Sequence, residues 1–147
     1  MRAARLRAAG IGLILACLLL AGAGVAAAGG WLGRDAAPPL ARTVHIRIHF
    51  SQFDPIEIAV DPGQTVTFIV ENTDPIDHEF IVGDARVQQA HEAGAEARHP
   101  PRPGEISVPA GETVITTMTF PSIGNLLFGC HLPGHYAFGM RGLITIA

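Results

Sequence analysis

Residues Thr43 to Glu71 read T-V-H-I-R-I-H-F-S-Q-F-D-P-I-E-I-A-V-D-P-G-Q-T-V-T-F-I-V-E. At the start of this stretch Val44, Ile46, Ile48 and Phe50 fall on one side of an extended chain and His45, Arg47 and His49 on the other. That two-residue period belongs to a half-buried strand. Ile56 to Val60 forms a second strand and stops at Asp61-Pro62-Gly63, where proline presets a turn and glycine tolerates positive φ. Thr65 to Glu71 follows directly. Further on come Glu79 to Val82, Glu105 to Val108, the turn Pro109-Ala110-Gly111, then Thr113 to Phe120, Leu126 to Cys130 and Leu143 to Ala147. About eight short β-rich runs, separated by Gly, Pro, Asn and Asp signals, predict an all-β fold, an antiparallel sandwich or barrel. The exception is Asp84 to Gly104, a polar, glycine-interrupted stretch read as a long surface insertion. It is expected to hold a short helix near Ala85 to Glu92, ended by the Pro100-Pro101 and Pro103 cluster.

The 147 residues amount to one domain plus a leading segment. Met1 to Arg7 is cationic, and no charge appears from Ala8 to Leu32, which is the pattern of an export signal. Ala26-Ala27-Ala28 suits cleavage before Gly29, while residues 8–32 are also long enough to anchor the chain in a membrane; both readings stand. Cys17 lies in mid-run with Leu18-Leu19-Leu20 still to come, so it reads as a small membrane-buried hydrophobe rather than a lipidated terminus. Either way the positive start stays inside and the remainder is delivered outside the cytoplasm, to the periplasm or the outer face of the cell membrane. The expected organisation is therefore an export signal or anchor helix over 1–32, a linker over 33–41, and one folded domain over 42–147.

All 10 basic residues are arginine, and removing the first 34 residues leaves 6 of them against 13 acids, a net charge of 6 − 13 = −7. An acidic domain without lysine argues against nucleic-acid binding, which needs a cationic face. The two cysteines, Cys17 and Cys130, cannot form an internal disulfide if the first lies in the apolar leader.

The chemistry concentrates in Gly129-Cys130-His131-Leu132-Pro133-Gly134-His135-Tyr136-Ala137-Phe138-Gly139-Met140. A thiol, an imidazole and a thioether recur as Cys-x4-His-x4-Met. Cys130 ends an apolar strand and Pro133-Gly134 bends the chain back, so His135 and Met140 can approach the point that the sulfur faces. A fourth donor is available in His78, in the loop between Val70 and Phe80. Two imidazoles and one thiolate with a weak axial thioether make up the donor set of an electron-transfer copper site. Zinc fits less well, because structural zinc favours several thiolates.

The pattern C-x-x-P-G-H-x-x-x-G-M, followed by a glycine and a final apolar strand, resembles the cupredoxins, the small blue copper proteins such as plastocyanin and azurin. The resemblance spans residues 43–147 and implies an eight-stranded Greek-key sandwich holding one type 1 copper per chain. It implies His78, Cys130, His135 and Met140 as the ligands. Glu79 stands where plastocyanin and azurin carry an asparagine whose hydrogen bonding braces the cysteine loop. The Asp84 to Gly104 insertion resembles that of cupredoxins associated with bacterial copper resistance.

The resulting expectation is a monomeric, non-enzymatic carrier of single electrons that docks transiently with a donor and an acceptor near His135. Leu132, Pro133, Tyr136 and Phe138 are expected to line that patch. The alternative is an extracytoplasmic protein for copper sequestration, delivery or resistance, although the chain has only three methionines and no Met- or His-rich tract. A Cys-His hydrolase lacks an orienting acid and leaves Met140 without a role. His131 follows the cysteine as in multicopper oxidases, but Gly129 precedes it and no His-x-His pair occurs, so their trinuclear cluster cannot be built within the chain. His45 and His49 share a face about 13 Å apart and are expected to face solvent. His91 and His99, with Glu92 and Glu96 between them, read as part of a solvated loop, the alternative being a second, weaker copper site. Met118 reads as core.

Overall fold

The computed structural model describes residues 41–94 and 99–147. The export or anchor segment and most of the linker lie outside these residues, as does Glu96. The described chain contains nine strands and one helix: β1 (Arg42–His49), β2 (Gln52–Asp54), β3 (Glu57–Val60), β4 (Thr65–Asn72), β5 (His78–Gly83), α1 (Ala85–Glu92), β6 (Glu105–Val108), β7 (Thr113–Thr119), β8 (Gly124–Gly129) and β9 (Arg141–Ile146). The helix falls where the polar insertion was expected to have one. Asp84 caps it, its carboxylate accepting from the Arg86 and Val87 amides.

The strands form two sheets, ordered β2-β1-β4-β7 and β3-β9-β8-β5-β6. The sandwich reading holds, but the pairing is not wholly antiparallel. β1 runs parallel to β4, and β3 parallel to β9. Periodicity in one strand reports which face is buried, not the direction of its neighbour, so these pairings were invisible locally.

Alternation along β1 buries Val44, Ile46 and Ile48 and exposes His45, Arg47 and His49. It ends one residue sooner than expected. Phe50 is 81% exposed, because Phe50 and Ser51, with φ of 51° and 53°, form the turn that pairs His49 with Gln52 and adds the short β2. Two successive left-handed residues give the turn the twist a two-residue hairpin needs, although neither is glycine. The Asp74 carboxylate offsets the cost by accepting from the Phe50 and Ser51 amides at 2.8 and 2.7 Å.

Between the sheets lie Phe53, Phe68, Phe80, Phe120 and Phe128, all buried, with the first two and Phe128 around Phe80 at centroid distances of 5.3 to 6.0 Å. Tilted and edge-on ring pairs of this kind contribute about 0.5–1.5 kcal/mol each beyond area burial. Met118 is half-buried and packs against this cluster. On the outer face of the other sheet, threonine rows meet across β4 and β7, Thr65 with Thr119 and Thr67 with Thr117.

The second sheet positions the site. β5 pairs with β8 so that Ile81 faces Gly129, and β8 pairs with β9 so that Gly129 faces Arg141. The start of β5 and the end of β8 therefore meet at one end of the sandwich, and the residues between Cys130 and Met140 form a loop whose two ends are adjacent.

Candidate metal centre

Cys130 leaves β8 fully buried, and its amide donates to the Met140 carbonyl at 3.1 Å, closing the neck of the loop. Within the loop the His135 amide donates to Leu132 O and the Met140 amide to His135 O. Gly134 makes the bend at φ 85°, a left-handed conformation that favours glycine. Gly129 has a different reason: a Cβ there would sit 2.5 Å from the Tyr136 ring.

These constraints bring together donors from two distant segments. Cys130 Sγ lies 3.3 Å from His135 Nδ1 and 3.9 Å from His78 Nδ1, and the two imidazole centroids are 5.0 Å apart. With metal bonds of about 2.1 Å to nitrogen and about 2.3 Å to sulfur, trigonal ligands sit about 3.8 Å from one another. The spacing fits a single metal ion. Met140 is buried beside them, tied by its backbone to both Cys130 and His135. His78 and Cys130 are buried and His135 is half-buried, so one imidazole of the set reaches toward solvent.

The surrounding groups orient the donors. His78 Nε2 donates to Asp74 Oδ2 at 3.0 Å, which leaves the Nδ1 lone pair for the side facing Cys130. Burial lowers the His78 pKa, and Asp74 opposes that shift while His135 adds to it. Burial pushes the Asp74 carboxyl up, but the Ser51 and Phe50 amides and His78 together outweigh it and hold the group below the usual carboxylate range. Burial also pushes the Cys130 thiol up to about 11, against the Leu132 and Glu79 amides that pull it down. Metal binding must therefore displace the thiol proton. The Glu79 amide donates to Cys130 Sγ at 3.3 Å.

Sequence reading missed Asp74 and Asn72. Asn72 donates to the carbonyls of Ile76, Val108 and Pro109 and accepts from the Asp74 amide, fixing the loop that carries His78. A buried Asn-x-Asp just before a ligand histidine was the available signal. The brace that the resemblance assigns to an asparagine is made here by Glu79, whose Oε2 accepts from the His131 amide at 3.3 Å.

His131 turns to the helix. Its Nδ1 lies 2.9 Å from Glu92 Oε2 and its Nε2 2.8 Å from Gln88 Oε1, and its ring stacks on Tyr136 and His91. Tyr136 thus packs under the loop, whereas Phe138 is 88% exposed. His45 and His49 are exposed, as expected. The reading of His91 and His99 as a solvated loop is corrected: Gln88 and His91 are buried, because Gln88 Nε2 donates to Ile81 O and Leu127 O and docks the helix on β5 and β8.

Among the described residues the donors form two groups, His78 with Cys130 and His135, and His91 with His99 and Glu105. In the first, soft sulfur and borderline imidazole favour copper over the harder ions. Comparison with known proteins agrees. The family described as copper binding proteins, plastocyanin/azurin family, matches residues 42–147. The copper-resistant cuproprotein CopI of Rubrivivax gelatinosus is 34% identical over 99 residues, covering 65% of this chain and 59% of that protein. The chain thus spans less than two-thirds of that relative's length. Auracyanin A of Chloroflexus aurantiacus, described as a blue copper protein, has a solved structure that matches with a TM-score of 0.58 at 30% identity, covering 74% of this chain and 100% of that one. Reduced auracyanin from Roseiflexus castenholzii matches with a TM-score of 0.59 at 29% identity, covering 71% and 96%. The chain therefore belongs to the plastocyanin/azurin family of copper-binding proteins, the cupredoxins, and copper is its cofactor.

Proposed function

We propose that this chain is an exported type 1 blue copper protein that carries single electrons between redox partners, with His78, Cys130, His135 and Met140 as its copper ligands. The observation that carries the reading is the convergence of two imidazoles and one thiol at bonding separation in a buried pocket braced by Asp74, Asn72 and Glu79. Copper bound by such a set supplies a one-electron couple between Cu(II) and Cu(I). The chain's own part is to hold the donors still and to exclude water. The hydrogen bonds at the neck of the loop and on His78 restrict the donors independently of the metal, so little rearrangement need accompany electron transfer. Four protein ligands leave no place for a substrate, which favours a carrier over an enzyme.

The half-buried His135 offers the route to a partner. Around this end the exposed apolar side chains are Phe138 in the ligand loop, Ile76 just before His78, and Phe50, whose amide is held by the same Asp74 that orients His78. Such a patch suits brief docking. Copper titration followed by visible absorption tests the reading: a strong thiolate-to-copper charge-transfer band is expected, and its absence, or its survival in Cys130→Ala, would exclude it.

A role in copper resistance is the second reading, favoured by the 34% identity to a protein named for copper resistance. Copper-sensitive growth on deletion of the gene, with electron exchange too slow to serve a partner, would favour it over the carrier. The extracytoplasmic location rests on the leading segment, and an intact-mass measurement of the native protein distinguishes cleavage near Gly29 from a retained anchor.

A further inference from the structure

We propose that His91, His99 and Glu105 form a second metal site, for divalent copper, separate from the Cys130 centre. One donor atom from each of the three lies within 4.8 Å of the others. Glu105 Oε2 is 3.2 Å from His99 Nε2 and 3.6 Å from His91 Nε2, and the two imidazoles meet edge to face with centroids 5.3 Å apart. The side chains are 4%, 13% and 16% exposed for His91, His99 and Glu105, so this is an enclosed cluster and not a solvated loop.

The hydrogen-bond chemistry points to a cation. His99 Nδ1 lies 2.8 Å from the Pro100 carbonyl, which can only accept, so Nδ1 carries the hydrogen. Nε2 is then the ring atom that faces the Glu105 carboxylate, and an ion held between them would be bonded by both. The backbone contact fixes that orientation in the way a carbonyl fixes a metal-binding histidine.

The cluster is rigidly placed. His91 rides on α1, which Gln88 anchors, and stacks on His131 at 5.6 Å, while Glu105 begins β6 and pairs with Ile81 of β5. His99 and Glu105 also line a cavity of about 380 Å³ bordered by His78 and Leu132, which gives an ion a path from solvent. Two imidazoles and a carboxylate without sulfur suit a divalent ion of borderline hardness, and among those the site's affinity is greatest for Cu(II). The Arg102 guanidinium, 3.4 Å from Glu105 Oε2 and half-exposed, must swing away on loading, which makes the site the weaker of the two.

The test is equilibrium dialysis of the purified full-length protein against Cu(II), counting copper per chain and recording the thiolate charge-transfer band alongside. The wild type should hold two ions. The double variant His91→Ala/Glu105→Gln should hold one, with the band undiminished as its check of folding. Cys130→Ser/His135→Ala, which removes the thiol and one of the two imidazoles of the other centre, should keep one ion whose paramagnetic resonance shows nitrogen coupling, and this arm decides the matter should the first double variant misfold. One copper in the wild type that Cys130→Ser/His135→Ala loses, or two in folded His91→Ala/Glu105→Gln, overturns the proposal, the latter assigning the extra ion to exposed histidines such as His45.

Discussion

Asp74 joins two features that the sequence places far apart. Its carboxylate accepts from Phe50 and Ser51 across 24 and 23 residues and from His78 four residues on. Removing it leaves two turn amides and one ring N–H without their acceptor. Hydrogen bonds to a charged group are worth about 1.5–3 kcal/mol each, and solvent entering at the exposed turn recovers part of that. Asp74→Ala should therefore lower unfolding stability by about 3 kcal/mol in urea titration. The same variant should weaken copper binding by about 10–100-fold, the usual effect of losing a group that orients a ligand histidine. A loss of stability with unchanged copper affinity would confine Asp74 to the turn. The Cys-x4-His-x4-Met series was legible because eleven residues hold it, and it needs only one bend. Asp74 was not, because two of its three partners, Phe50 and Ser51, lie on another hairpin.

At the scale of elements, the β1–β2 turn and α1 each carry a cost that can be measured. A non-glycine residue in the left-handed region costs about 1–2 kcal/mol, and glycine gives back about 0.5–1 kcal/mol through its freer unfolded chain. Ser51→Gly should thus raise stability by up to ~1 kcal/mol, seen as a higher midpoint of thermal unfolding with an unaltered copper band. Alternation alone sent Phe50 inward, since nothing in one strand's pattern announces a turn made of Phe and Ser. The helix shows the opposite balance. Its span, Ala85 to Glu92, was expected within the polar insertion, but its docking depends on Gln88, which serves Ile81 O, Leu127 O and His131 at once. Gln88→Ala should cost about 2–3 kcal/mol, because buried carbonyls lose their donor. If urea unfolding shows less than about 0.5 kcal/mol, water has replaced the amide and the helix is held by other contacts.

For the whole molecule, charge and the apolar end make separate predictions about electron exchange. The net charge of −7 over residues 35–147 should speed reaction with small cationic redox reagents relative to anionic ones. Stopped-flow rates at rising ionic strength should converge, since a Debye length of about 10 Å at 0.1 M salt screens exposed charge. Phe138→Ser should slow exchange with a protein partner severalfold and leave both the copper band and reaction with small reagents unchanged. Equal slowing of both would place Phe138 in the site's integrity and not in docking. The sandwich as a whole was legible from strand periodicity and turn residues. Parallel pairing of β1 with β4 and of β3 with β9, and the meeting of Glu105 with His91 and His99, were not, because each depends on where distant strands cross.

X-ray absorption and anomalous diffraction on the protein loaded with one equivalent of copper test the centre most directly. A single copper is expected, bonded to the Nδ1 atoms of His78 and His135 and to the sulfur of Cys130, with Met140 as the fourth ligand. Copper bound without a short bond to sulfur, or seated away from residue 130, would contradict it.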